Sequence, residues 1–162
     1  MGERKSMDNK NRFCGLLFLL LLASLSTPLT GNAQDADAVI TYRKSVMQGF
    51  RVHNGAVRSI QEGVVSYSDH LLSHALSIQS LADMLSDLFP EESSTGETRA
   101  LPAIWENSIG FGEKISATQS ASDDFVNAIR SGNNDAIEDA RSSLGQTCGS
   151  CHGDFRARPS GE

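Results

Sequence analysis

Cys148, Gly149, Ser150, Cys151 and His152 place two thiols three residues apart, with an imidazole directly behind the second. On a helix, positions 148, 151 and 152 share one face. Thiols so placed reach two vinyl groups along one porphyrin edge, and the imidazole projects beneath the ring toward the iron. Cys-x-x-Cys-His is the attachment sequence for a c-type haem. A thiol–disulfide redox pair is the competing reading, and in an oxidising compartment the two thiols could also close on each other. Redox Cys-x-x-Cys sites draw their low thiol pKa partly from a helix N-terminus. Here the pair falls near the end of the last helical stretch, where the macrodipole opposes a thiolate. The sequence therefore favours one haem c, held through Cys148 and Cys151, with His152 on its iron.

Other residues point to chemistry less specifically. Met47 lies in an apolar stripe, which suits core packing and a soft thioether ligand about equally. His70 and His74 are four apart, a chelating spacing on a helix, but no Cys or third His completes a tetrahedral set. A solvated pair is expected there, and His53 carries no assignable chemistry.

Four helical stripes must position these groups. Val39, Tyr42, Val46, Met47, Phe50 and Val57 recur at three- and four-residue steps. Leu71, Ala75, Ile78, Ala82 and Leu85 form a second stripe between about Ser68 and Leu88, which Pro90 ends. Glu91 to Leu101 reads as the long loop. A third stripe runs from Pro102 through Phe111, Ile115, Thr118, Ser122, Phe125 and Ile129. After Ser131-Gly132-Asn133-Asn134, Asp135 and Glu138 suit a capping box for a fourth helix, striped by Ile137, Ala140, Leu144, Cys148, Cys151 and Phe155. No segment alternates with a period of two. The expectation is an all-α, antiparallel up-down-up-down four-helix bundle. Ala75, Ala82, Thr118, Ser122 and Ala140 are small for core positions and imply space between helices for one large apolar occupant.

Residues 1–33 are of a different kind. Arg4, Lys5, Lys10 and Arg12 precede a nearly unbroken apolar run from Gly15 to Leu25, and Gly31-Asn32-Ala33 offers small residues before a cut. This reads as a secretory signal peptide, with residues 34–162 as the mature domain. The run is too short to span a bilayer, which takes about 20 residues, so an uncleaved anchor is the minor alternative. Cys14 precedes the run, which argues against a lipid anchor. Of 14 Lys+Arg and 20 Asp+Glu, four and two lie in the signal, leaving 10 and 18 and a net charge of −8. Such a surface argues against nucleic acid and suggests steering toward a basic patch on another protein.

The chain also resembles the class II c-type cytochromes, that is, cytochrome c′ and its low-spin relatives. The resemblance spans the mature chain and rests on Ala38 to Met47, on Leu101-Pro102-Ala103-Ile104-Trp105 with Phe111, and on Cys148 to Arg156. A haem motif at the carboxyl end is its most specific sign. The resemblance implies thioether roles for Cys148 and Cys151, a proximal role for His152, and a distal position for Met47. It implies that Arg43, with Lys44 beside it, meets a haem propionate, and that Arg156 lies near the proximal imidazole. Trp105 would pack along the haem edge, and Glu97 and Thr98 would lie in a loop close to the haem. From the residues alone, Arg43 could equally be a solvated surface charge, and core packing would explain Trp105.

Two functions follow. With His152 below and Met47 above, the iron is six-coordinate and the protein is a periplasmic electron carrier with a redox partner protein, not an enzyme. With Met47 only lining the distal face, the iron is five-coordinate and binds nitric oxide or carbon monoxide. The resemblance includes both kinds, and it leaves open whether two copies pair through their first two helices. Ligand chemistry favours the electron carrier, with no membrane partner once the signal is removed.

Overall fold

A computed structural model describes residues 35–159 together with Gly2. The export signal read at residues 1–33 lies, Gly2 apart, outside the described residues. Among the described residues five α-helices follow in order: α1 (Ala36–Gln61), α2 (Leu71–Asp83), the single turn α3 (Ala103–Glu106), α4 (Ser108–Ser131) and α5 (Asn134–Phe155), with short 3-10 turns at Ser68–His70, Leu85–Asp87 and Glu91–Ser93. Helices α1, α2, α4 and α5 form the bundle. Helix α1 packs on α2, α2 on α4, and α4 on α5.

The ends of these helices follow local chemistry. The Asp35 side chain accepts from the Asp37 N–H and caps α1, which continues through Gly55 and stops before Gly63 at φ +70°. Helix α4 ends on Gly132, whose left-handed conformation (φ 70°) suits a residue without a Cβ. Two expectations at helix starts are corrected. The third stripe is not one helix from Pro102, because Asn107 (φ −122°, ψ 59°) breaks it and its side chain caps α4 by accepting from the Gly110 N–H. The cap of α5 is Asn133, accepting from the Ala136 N–H, while Asp135 sits inside the first turn and complements the dipole there.

Two apolar clusters fill the bundle. One end is closed by Val57, Ala75, Ile78, Phe125, Val126, Ile137 and Leu144. The other gathers Val46, Leu85, Leu88, Ile104, Phe111, Ile115 and Phe155, with Met47, Phe50, Phe89 and Cys151 against it. Tyr42 does not join the α1 stripe: it is exposed, its hydroxyl 3.9 Å from Met84 Sδ, and Ile40 and Arg43 take the inward positions. The small residues also act differently from expectation. Ala75, Ala82 and Ser122 are buried against neighbouring helices, where they allow close approach, and of the five only Thr118 borders open space.

Candidate cofactor site

The open space lies where α1 and α5 face each other at the second cluster. It is a cavity of ≈ 510 Å³, walled by Met47, Phe50, Leu85, Phe89, Ile104, Phe111, Ile115 and Phe155. That volume lies within the roughly 300–1,000 Å³ of cofactor-sized sites. Cys148, Cys151 and His152 border it from the last two turns of α5, and Met47 borders it, half-buried, from α1.

The helical spacing of 148, 151 and 152 thus delivers both thiols and the imidazole to one space. Burial pushes the Cys148 thiol above its ordinary pKa, and burial followed by its neighbour Cys148 does the same to Cys151. That is the reverse of what a thiol–disulfide catalyst needs. Partial burial of His152, and then the charges of Arg156 and Arg99, lower its pKa, which favours the neutral ring with a lone pair to donate. The end of α5 is held by backbone pairing to the preceding loop: Leu101 N–H donates to Phe155 O (3.0 Å) and Ala157 N–H to Arg99 O (2.8 Å).

Arg43 is not a solvated charge. Only 4% of it is exposed, and it donates through Nη1 to Leu88 O (3.2 Å) and Ser93 Oγ (2.7 Å), and through Nη2 to Ser93 O (3.3 Å) and Thr98 Oγ1 (2.9 Å). Its guanidinium also lies 4.8 Å from the Phe89 ring centroid. One fork therefore ties three points of the 88–98 loop to α1, and burial pulls its pKa below the usual arginine value. Gly96 completes this seam at φ +120°, where an added Cβ would lie 2.9 Å from Ile40 Cδ1. Arg43→Met should lower unfolding free energy by about 3 kcal/mol in urea titration, because buried acceptors lose a charged donor. Arg43→Lys should recover little of it, since a point charge cannot replace the fork.

Eight of the ten residues assigned to the site meet at the cavity: Arg43, Lys44, Met47, Thr98, Cys148, Cys151, His152 and Arg156. The other two do not. Trp105 stands behind the wall, donating from Nε1 to Phe89 O (3.0 Å), so it fixes the residue that lines the cavity, and Ile104 occupies the lining position itself. Glu97 points into solvent, with 99% of its side chain exposed, and meets Lys44 at 3.8 Å. Arg51, Arg99 and Lys114 line the cavity without having been singled out from sequence. For Arg51 a signal existed, since 43, 47 and 51 step along one helix face.

The histidines pair differently from expectation. His74 Nδ1 lies 3.0 Å from His53 Nδ1 across α1 and α2, while His70 stacks on Tyr67 with ring centroids 5.2 Å apart. Burial, then the charges of His53 and His70, hold the His74 pKa below its usual value. The unfolded chain, whose histidines titrate near ~6.5, then binds more protons than the folded chain between the two pKa values. Stability from this group is full above the unfolded pKa and falls as pH drops through that window. Urea midpoints measured from pH 7.5 to pH 5 should decline, and His74→Gln should flatten the decline.

Comparison with known proteins agrees with this geometry. A family model described as Cytochrome C′ matches residues 38–156. The chain is 29% identical over 143 residues to a cytochrome c′ of Rhodospirillum rubrum, covering 88% of this chain and 97% of that one. It is 30% identical over 135 residues to a cytochrome c-554 of Cereibacter sphaeroides, covering 80% and 88%. Among solved structures, a nitric oxide complex of a cytochrome c prime mutant from Alcaligenes xylosoxidans superposes with a TM-score of 0.71 at 21% identity, covering 77% of this chain and 98% of that one.

Proposed function

The chain belongs to the cytochrome c′ family, and from that premise we propose that it is an exported electron carrier in which one haem c is held by Cys148 and Cys151, with His152 as proximal and Met47 as distal ligand. When bound, the haem supplies a one-electron couple. The residues present fit such a group: two thiols and a neutral imidazole on one helix face, an apolar enclosure, and six cations with no carboxylate along the lining. The cations suit a ligand that carries two propionates.

The observation that carries the reading is the position of Met47. It borders the same cavity as His152, from the opposite helix, and is half-buried against the apolar cluster that includes Val46, Leu85 and Phe111. An unbranched thioether there has the reach and softness to complete the coordination, and Met/His ligation raises the reduction potential. His152 is the only histidine on the lining among the described residues. The competing reading is a five-coordinate gas binder, favoured by the nitric oxide complex of a protein with the same fold. The ferric spectrum tests the two: a low-spin wild type supports Met47 ligation, and a high-spin one transfers the assignment to gas binding.

Export follows from the amino-terminal pattern and from the compartment in which haem is attached to such motifs. The native protein should begin at Gln34, and mass spectrometry of the haem-loaded form checks it. A haem-bearing species that retains residues 1–33 would contradict removal of the signal.

A further inference from the structure

The charge of this domain is polarised around the cavity. Residues 34–162 hold ten Lys and Arg, and six of them line this one space. Two of the six are internal: Arg43 is spent on the 88–98 loop, and half-buried Lys114 meets Asp154 at 3.1 Å. The other four, Lys44, Arg51, Arg99 and Arg156, are exposed as well as lining, so they form the rim of the mouth. Among the described residues, only Lys44 of these has a carboxylate within 4.0 Å, at 3.8 Å from Glu97. Arg51 donates instead to Gln48 Oε1 (3.1 Å) and Arg99 to Ala157 O (2.9 Å), both uncharged. Two propionates would neutralise at most two of these charges. A basic rim therefore surrounds the mouth of the cavity that would hold the haem, on a domain whose net charge is −8.

We propose that the cavity rim is the docking surface for a redox partner protein that presents a cluster of carboxylates, the reverse of the basic partner that net charge suggests. At about 0.1 M salt the Debye length is about 10 Å, so a partner at the mouth senses the six lining cations and the two carboxylates beside them, Glu97 and Asp154, more than charges farther away. The acidic remainder then orients the molecule, turning other faces away from the same partner. This proposal rests on the electron-carrier reading.

The probe is the hexacyanochromate(III) anion, which is redox-inert and paramagnetic. Added to the reduced, 15N-labelled holoprotein at about 0.1 M salt, it should broaden the amide signals around Arg51, Arg99 and Arg156 before any others. Arg51→Gln with Arg99→Gln should abolish that broadening. Should loss of the Arg99–Ala157 bond disturb the fold, Arg51→Gln with Arg156→Gln serves instead. Arg58→Gln with Arg130→Gln, neither of which lines the cavity, should leave it unchanged. In parallel, the rate of oxidation by hexacyanoferrate(III) should fall about fivefold between 0.1 and 0.5 M ionic strength. Broadening spread over other faces, or a rate that rises with salt, overturns the proposal. So does retention on phosphatidylglycerol vesicles that the double variant abolishes, which would assign the rim to a lipid surface. Failure of the electron-carrier reading shows separately, in the spin state of the wild-type holoprotein read before any arginine is replaced.

Discussion

Replacing Cys148 and Cys151 together by Ser should yield a protein that surrenders to acid acetone any haem it takes up, and whose haem-free form melts at least about 20 °C lower than the wild type. The first outcome follows from the chemistry, since serine forms no thioether and His152 alone is a reversible tether. The second follows from the cavity. Its walls are the rings of Phe50, Phe89, Phe111 and Phe155 with Leu85, Ile104 and Ile115. Leaving ≈ 510 Å³ of such space unfilled costs, at about 24 cal/mol per Å³, on the order of 12 kcal/mol. A domain of this size has only about 5–15 kcal/mol in total. Wall collapse and water entry through the mouth recover part of that, so a net loss near 5 kcal/mol is a conservative figure. At roughly 4 °C per kcal/mol it gives the stated shift. Hydrogen exchange should locate the damage: amides near Phe111 and Phe155 lose protection, while those near Val57, Phe125 and Leu144, in the separate cluster, keep more of theirs. A double variant that retains covalent colour, or that melts with the wild type, would show that these cysteines do not hold the haem.

The parts of this architecture that could be read from sequence are those encoded within one or two helical turns. Cys148, Cys151 and His152 are a local pattern whose geometry needs only a helix, and the structure supplies it. Periodic stripes located the four long helices because one face of each is buried. What escaped was set by competition between neighbouring caps or by tertiary contact. Asn107 ends a helix that periodicity would continue, because its side chain satisfies the Gly110 N–H and so starts a new one. Asn133 outcompetes Asp135 as a cap by standing one residue outside the helix. The small residues were visible, but whether an alanine opens a void or lets two helices touch depends on the facing side chain, which sequence does not state. Arg43 illustrates the same limit. Its burial rests on acceptors at positions 88, 93 and 98, in a loop whose approach to α1 has no local signature. The basic rim is the largest such omission, assembled from α1, the loop and α5, while the net charge of the domain points the other way.

Met47→Leu should convert the ferric protein from low-spin to high-spin and raise carbon monoxide affinity of the reduced form about 100-fold. Leucine keeps the bulk and apolar character that Met47 offers to the buried cluster it packs against but removes the sulfur. Volume-conserving swaps of this kind usually cost under about 1.5 kcal/mol, so the fold should survive. The affinity figure comes from competition. If ligation favours the closed state by about 2.7 kcal/mol, the open state is about 1% populated, and an incoming gas binds about 100-fold more weakly than to an open site. Removing the sulfur lifts that penalty and should also lower the reduction potential, since the thioether stabilises the reduced iron. Met47→Ala should do the same and bind gas faster, because it also empties the space. The leucine variant is the decisive one. If Met47 is only a steric lid on a five-coordinate iron, leucine is as good a lid, and spin state and gas affinity stay where the wild type has them. A change with leucine as large as with alanine assigns the sulfur to the iron, and with it the function to electron transfer.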